Sequence, residues 1–235
     1  MNHAEFDRVA DQYALLHRRS IAASGEDPEF FARYKARDAQ REAARAGVAV
    51  RAVLDFGCGV GNSWPHLARC FPQARLAGAD VSRRSLTVAR QRFAQLPVDA
   101  VEIEDKRLPL DDARFDLVFA ACVFHHIDPA EHAHWLGELR RVTRPGGLLM
   151  LFEHNPLNPL TVAAVRDCPF DEHAVLQRAG TMRRRVLAAG WQDPHCAYRV
   201  FFPRVLSFAR PLEGWLARLP LGAQYWVRAR RGEGG

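Results

Sequence analysis

The stretch Val53-Leu54-Asp55-Phe56-Gly57-Cys58-Gly59-Val60-Gly61-Asn62 constrains this chain more than any other. A short β-rich run ends in an acid, three glycines alternate, and helical spacing follows over about 63–70. Glycine lets a chain turn tightly and lets a ligand approach the backbone closely. In an open α/β sheet, the carboxyl end of the first strand is a place where ligands bind. The segment therefore reads as a strand, a ligand-binding turn and a helix.

The middle of the chain repeats this alternation. Residues 74–80, 98–103, 115–120 and 148–152 read as short apolar strands. Residues 83–95 and 129–142 read as helices, the second with Trp135, Leu136, Leu139 and Val142 on one face. Buried strands alternating with helices indicate a parallel sheet covered on both faces by right-handed crossovers. The fold class is α/β, a doubly wound Rossmann-like sheet. Ahead of it, Phe6, Val9, Ala10, Tyr13, Leu16 and His17 recur at helical spacing. Asp27 before Pro28 can cap a second helix that carries Phe30, Phe31 and Tyr34. Beyond residue 155 the pattern weakens. There 171–189 reads as helix, 196–202 and 224–230 as strands, and 205–219 as helical around Pro211.

Asp80 ends the second strand, 19 residues beyond Gly61. An acid there can accept hydrogen bonds from both hydroxyls of a ribose. A dinucleotide loop reads G-x-G-x-x-G and turns its amides toward a pyrophosphate. This loop reads G-x-G-x-G, and Asp55 stands two residues before its first glycine. Beside a pyrophosphate Asp55 would be repulsive. Beside an ammonium group it would be attractive, on the order of a few kcal/mol at intermediate dielectric. The expected ligand is adenosine-like with a cationic amino-acid part. A nicotinamide oxidoreductase is the least favoured reading.

These residues resemble the class I S-adenosylmethionine-dependent methyltransferases. Asp55-Phe56-Gly57-Cys58-Gly59-Val60-Gly61 is similar to that family's first motif, and Asp80 to its ribose-binding acid. Leu108-Pro109-Leu110 and Phe115-Asp116-Leu117-Val118 look like the approach to its fourth strand. Arg144-Pro145-Gly146-Gly147 looks like the turn before its fifth. The resemblance covers about 50–153. It implies a seven-stranded sheet, mostly parallel, with a C-terminal antiparallel hairpin that 196–202 and 224–230 would supply. It implies S-adenosylmethionine as cofactor and S-adenosylhomocysteine as product. Cofactor contacts are expected from Asp55, Gly57, Cys58, Gly59, Gly61, Asp80, Val81 and Ala121. Glu104 and Asp105, adjacent acids after the third strand, are the candidates for the adenine amino group. Phe6-Asp7-Arg8-Val9-Ala10-Asp11-Gln12-Tyr13 resembles the lid segment of many small-molecule methyltransferases, with Tyr13 reaching the cofactor. The whole of 1–235 then reads as one domain: a helical lid over 1–46, a cofactor-binding core over 47–154, and sheet completion with the substrate side over 155–235.

By the same resemblance, Ala121-Cys122-Val123-Phe124-His125-His126-Ile127 lies beneath the sulfonium. An imidazole of ordinary pKa near 6.5 could take a proton as methyl transfer proceeds, or could orient the loop. The fifth strand ends in Phe152-Glu153-His154-Asn155-Pro156, where Glu153 or His154 could be a base or a substrate clamp. Glu153 could instead hydrogen-bond the loop after the first strand. The candidate catalytic residues are His125, His126 and His154. No spaced metal-ligand set emerges, so no metal is expected. Asn155-Pro156-Leu157-Asn158-Pro159 is not read as base recognition, because that motif follows the fourth strand and carries an aromatic.

Composition narrows the acceptor and the compartment. A 235-residue chain that is 48% hydrophobic and 26% charged can bury a sizeable core and is not disordered. The net charge of +6 invites a nucleic-acid partner, yet only Lys35 and Lys106 are lysines and the arginines are scattered. The expected acceptor is an O, N or S atom of a small molecule. The alternatives are an RNA methyltransferase and a non-catalytic methyltransferase-fold binding protein. No membrane partner is expected, nucleic acid is disfavoured, and oligomeric state stays open. The five cysteines (Cys58, Cys70, Cys122, Cys168, Cys196) are irregularly spaced, which argues against a disulfide framework. With no signal-like N-terminal pattern and no run of about 18 apolar residues, the cytoplasm is the expected location. Trp191, Phe201, Phe202, Trp215 and Trp226 read as core filling.

Overall fold

Successive side chains of a strand point to opposite faces of its sheet, and here both faces are apolar. In the computed structural model, which describes residues 24–169 and 171–233, Val53 enters one buried cluster while Leu54 and Phe56 enter another. These residues belong to β1 (Ala52–Phe56). Further strands are β2 (Arg75–Asp80), β3 (Val98–Glu102), β4 (Phe115–Ala121), β5 (Thr143–His154), β6 (Trp191–Arg199) and β7 (Gln224–Arg231). They form one seven-stranded sheet in the order β3-β2-β1-β4-β5-β7-β6. The first five strands are parallel, and β7 runs antiparallel to both β5 and β6. The doubly wound, mostly parallel sheet with an antiparallel C-terminal pair is the fold that the sequence led us to expect.

Helices cover both faces: α1 (Pro28–Arg45), α2 (Trp64–Cys70), α3 (Arg83–Arg92), α4 (His132–Val142), α5 (Pro159–Arg166), α6 (Ala179–Ala188) and the short α7 (Glu213–Leu216). On one face Ala36, Ala39 and Ala43 of α1 and Leu67 of α2 pack with Leu117, Phe119, Met150 and Phe152. On the other, Trp135, Leu136 and Leu139 of α4 and Met182 and Val186 of α6 pack with Val118, Ala120, Leu149 and Leu151. Each fully buried side chain of this size contributes about 1.5–3 kcal/mol. Asp27 caps α1 as anticipated, its Oδ1 accepting from the Phe30 amide at 2.7 Å with Pro28 in the first turn. Residues 28–45, expected as part of a lid, are thus a packed layer of the core. Arg199 ties α1 to β6, donating to Asp38 at 2.6 and 3.1 Å. The lid residues Phe6 to His17, Tyr13 included, lie outside the described residues.

The C-terminal third departs most from expectation. Residues 171–178 are irregular and α6 begins only at Ala179. The Val175 amide donates to the His125 carbonyl at 2.8 Å, which holds this segment over the turn after β4. Helix α5 was hidden by its flanking Asn-Pro pairs: Asn158 caps it by accepting from the Thr161 amide at 3.0 Å, and Pro159 fills the first turn. Strand β6 starts at Trp191, and its register shifts between Gln192 and His195, around Pro194, which has no amide to donate. Residues expected as a helix over 205–219 form a 3-10 stretch (Arg204–Leu212) and α7. Trp215 is 88% exposed and so is no part of the core, whereas Trp191 and Trp226 are buried. Asn155 and Asn158 donate to the Gly222 and Leu221 carbonyls at 2.8 and 2.7 Å, so the Asn-Pro motif ties β5 to the entry of β7. All five cysteines are free. No helix of the described residues is long and apolar enough to cross a membrane.

Candidate active site

From β1 the chain builds the sheet first on one side, through β2 and β3, and then on the other, through β4. The loops at the carboxyl ends of β1 and β4 diverge, which opens a crevice there. A cavity of about 320 Å³ occupies that position, walled by Phe31, Ala32 and Lys35 of α1.

The β1 turn forms one end. Gly57 has φ +68°, its amide donates to the Ala79 carbonyl at 2.8 Å, and a Cβ there would lie 2.5 Å from Val123 Cγ2. Gly59 has φ +51° and nothing within 4 Å of a Cβ, so it leaves open space against the backbone. Asp80 accepts from the Gly59 amide at 2.7 Å and from the Ser82 amide at 2.8 Å. Each carboxylate oxygen can take two hydrogen bonds, so Asp80 can hold the turn and still accept from a ligand. Asp55 is 3% exposed, and its Oδ2 has no hydrogen-bond partner among the described residues. Burial, with Asp80 adding to it, pushes the Asp55 carboxyl well above the usual range, and Lys35 opposes the shift. A buried carboxylate lacking a partner is costly unless a cation joins it. The cradle therefore suits an adenosine ligand with an ammonium group. Gly57→Ala should cost about 2–4 kcal/mol, from left-handed backbone strain plus overpacking. Denaturant unfolding would measure that loss.

Asp55, Gly57, Cys58, Gly59, Asp80, Val81 and Ala121 all line the cavity. Three expected cofactor residues do not. A Cβ at Gly61 would lie 3.0 Å from the Trp64 ring, so that glycine serves helix packing. Glu104 and Asp105 are exposed on a tight turn, closed by the Arg107 amide donating to the Glu104 carbonyl at 3.0 Å. Positive φ at Asp105 (47°) and Lys106 (56°) accompanies that turn.

The turn after β4 forms the floor. Cys122 has φ +60°, a strained conformation for a residue with a side chain. Lys35 Nζ donates to Cys122 Sγ at 3.1 Å. Burial pushes that thiol up, but Lys35 and His154 outweigh it and bring it down to about 6. Glu153 is 1% exposed and accepts from the Val123 and Phe124 amides at 3.1 and 2.7 Å. Its other oxygen lies 2.6 Å from His125 Nδ1. It thus secures the turn after β4, not the one after β1. His125 Nε2 and His126 Nε2 lie 3.4 and 3.3 Å from Asp171 Oδ1. Burial disfavours charge on His125, yet Glu153 and Asp171 raise it to about 10. Burial and the neighbouring His125 lower His126 to about 3. Burial also acts against the Asp171 charge, but His125 holds that carboxyl well below its usual range.

His154 faces Gln224 across the β5–β7 pair, and the Tyr34 hydroxyl donates to Gln224 Oε1. The cavity thus brings together the three expected catalytic residues, His125, His126 and His154. It adds three that the sequence did not disclose, Lys35, Asp171 and Gln224, and it includes Cys122 from the stretch expected beneath the sulfonium. They come from four separate segments. Of the three, Lys35 carried an advance signal, as one of two lysines in an arginine-rich chain.

Comparison with known proteins gives a consistent result. The profile of a family described as a methyltransferase domain matches residues 53–147. Demethylmenaquinone methyltransferase of Deinococcus radiodurans is 34% identical over 155 residues, 64% of this chain and 59% of that protein. Trans-aconitate 2-methyltransferase of an Azoarcus species is 32% identical over 163 residues, 69% of this chain and 58% of that one. Across the first curated relatives, the chain spans between 29% and 59% of their length. A Thermotoga maritima structure, described as an S-adenosylmethionine-dependent methyltransferase and a possible histamine N-methyltransferase, superposes with a TM-score of 0.66. It is 18% identical, and the match covers 97% of this chain and 99% of that one.

Proposed function

We propose that the protein transfers a methyl group from S-adenosylmethionine to a small-molecule acceptor, as the match of residues 53–147 to a family described as a methyltransferase domain supports. The observation that carries this reading is the buried, partnerless Asp55 oxygen beside the open Gly59 turn. When bound there, the cofactor supplies a methyl group activated by a sulfonium leaving group. Asp55 would hold the ammonium end and Asp80 the ribose hydroxyls. Val81 and Ala121 supply apolar wall, and α1 limits access of water. Reactions of this kind gain most from alignment of donor and acceptor, worth up to about 7–11 kcal/mol in well-oriented systems.

His125 has a carboxylate at each ring nitrogen, at 2.6 and 3.4 Å, which suits it to fixing the floor rather than taking a proton. Of the three histidines, His154 is the one best placed to meet an acceptor, beside Gln224 in the cavity wall. The relatives named for demethylmenaquinone and trans-aconitate favour a small molecule over RNA. A cavity of about 320 Å³ also falls in the range of small-ligand sites. Five free thiols suit a reducing compartment such as the cytoplasm.

The test is incubation with a donor carrying a deuterated methyl group and fractionated cell extract, read by mass spectrometry. A small molecule that gains the label only when the protein is present supports the reading. Label transferred to RNA and to no small molecule overturns the acceptor class.

A further inference from the structure

The geometry points to a divalent transition-metal site in the acceptor half of the cavity, built by His125, His154 and Asp171. One potential ligand atom from each of these residues lies within 4.8 Å of the other two. They come from the turn after β4, the end of β5 and the segment after α5, which is why no spacing in the sequence announces them. His125 and Asp171 are side chains only 1% and 10% exposed, so this is not a chance cluster on an acidic surface.

Three features separate this cluster from an ordinary hydrogen-bonded one. The first is the spacing. Within the ligand set, His125 Nε2 stands 3.4 Å from Asp171 Oδ1. A charge-assisted hydrogen bond closes to about 2.7–2.9 Å. Ligands at about 2.0–2.1 Å from a tetrahedral ion are instead separated by about 3.3 Å. The second is Glu153, whose carboxylate 2.6 Å from His125 Nδ1 leaves Nε2 turned to Asp171, where an incoming ion would displace the ring proton to water. A metal-bound histidine characteristically gives its other nitrogen to such a carboxylate. The third is charge. Asp55, Asp80 and Asp171 line the cavity and Glu153 lies behind its floor, against one lysine, Lys35. A cofactor ammonium answers Asp55, and at the acceptor end Asp171 and Glu153 both face the His125 ring.

Two imidazoles and a carboxylate suit Zn(II), and also Co(II), Ni(II) or Fe(II), better than Mg(II). Three protein ligands leave a position open toward the cavity. A hydroxyl or thiol acceptor bound there would lose its proton to water more readily, since the ion lowers its pKa. The acceptor atom could then attack the methyl carbon, and the carbon–sulfur bond electrons would leave with sulfur. Binding of the ion stands on geometry alone. Its role with an acceptor rests on the proposed methyl transfer.

Tag-free protein, stripped with chelator, would be titrated with Co(II) and followed by visible absorbance, with Zn(II) as competitor. The expected result is one Co(II) per chain, with the intense bands of a four- or five-coordinate ion that Zn(II) abolishes. His154→Ala and Asp171→Asn should each weaken binding at least about tenfold, as losing a ligand or its support does. Their unfolding midpoints would show that they fold. A spectrum of the hydrated ion, no saturation, or wild-type affinity in either folded variant overturns the site. Donor titration of the metal-free protein reads the proposed function separately, so failure of the one is distinguishable from failure of the other.

Discussion

Replacing Glu153 with alanine is expected to lower the stability of the folded chain by about 3–5 kcal/mol, the cost of breaking a buried charged pair from one side. Glu153 is 1% exposed and joins three groups: the Val123 amide, the Phe124 amide and the His125 ring. Its removal leaves two amides without an acceptor and a buried imidazole without its nearer counter-charge. The pair with His125 lowers the Glu153 carboxyl below its usual range in spite of burial. For a chain of this length the loss corresponds to roughly 6–20 °C in unfolding midpoint. Glu153→Gln keeps the shape and an acceptor oxygen, so it should fall between wild type and alanine. Calorimetric unfolding of the three proteins checks this. An alanine variant within about 1 kcal/mol of wild type would mean that the floor of the site is held by something else.

Asp55→Asn should have the opposite effect on stability and a large one on binding. In the free protein Asp55 is a buried acid with one oxygen unpartnered, and burial together with Asp80 disfavours its charge. Asparagine removes that charge at nearly the same volume, so the free protein should hold or gain stability. A carboxylate–ammonium pair about 4 Å apart at an effective dielectric near 20 is worth about 4 kcal/mol. Part of that is offset by desolvation, so S-adenosylmethionine binding should weaken on the order of a hundredfold to a thousandfold. The two readouts together separate a lost contact from a damaged fold. Equal ligand-induced shifts in the unfolding midpoint of wild type and variant would remove Asp55 from the donor site.

Much of this was legible in the sequence because it is local. A strand that ends in Asp55, a run of alternating glycines and a second strand ending in Asp80 fix each other's position through parallel pairing of β1 with β2. Short apolar runs buried on both faces, with short crossovers, then give the sheet. The cap of α1 was readable for the same reason, since Asp27 and Phe30 are three residues apart.

What escaped the sequence is what depends on distant segments. Asp171 looked like the start of a helix. Instead it belongs to an irregular stretch pinned by the Val175 amide to the His125 carbonyl. Lys35 stood out in the sequence only as one of two lysines, yet it is 6% exposed because α1 lies along the sheet and aims it at Cys122. Glu104 and Asp105 looked well placed by counting along the chain. A turn with two positive φ values carries them into solvent. Gly61 fits the loop pattern but answers to the Trp64 ring.

The most direct test of the central claim is isothermal titration of the wild-type protein with S-adenosylmethionine and S-adenosylhomocysteine. The account predicts that both bind one site per chain with micromolar affinity, that each displaces the other, and that Asp80→Ala abolishes the binding of both. A folded wild-type protein that binds neither would contradict it.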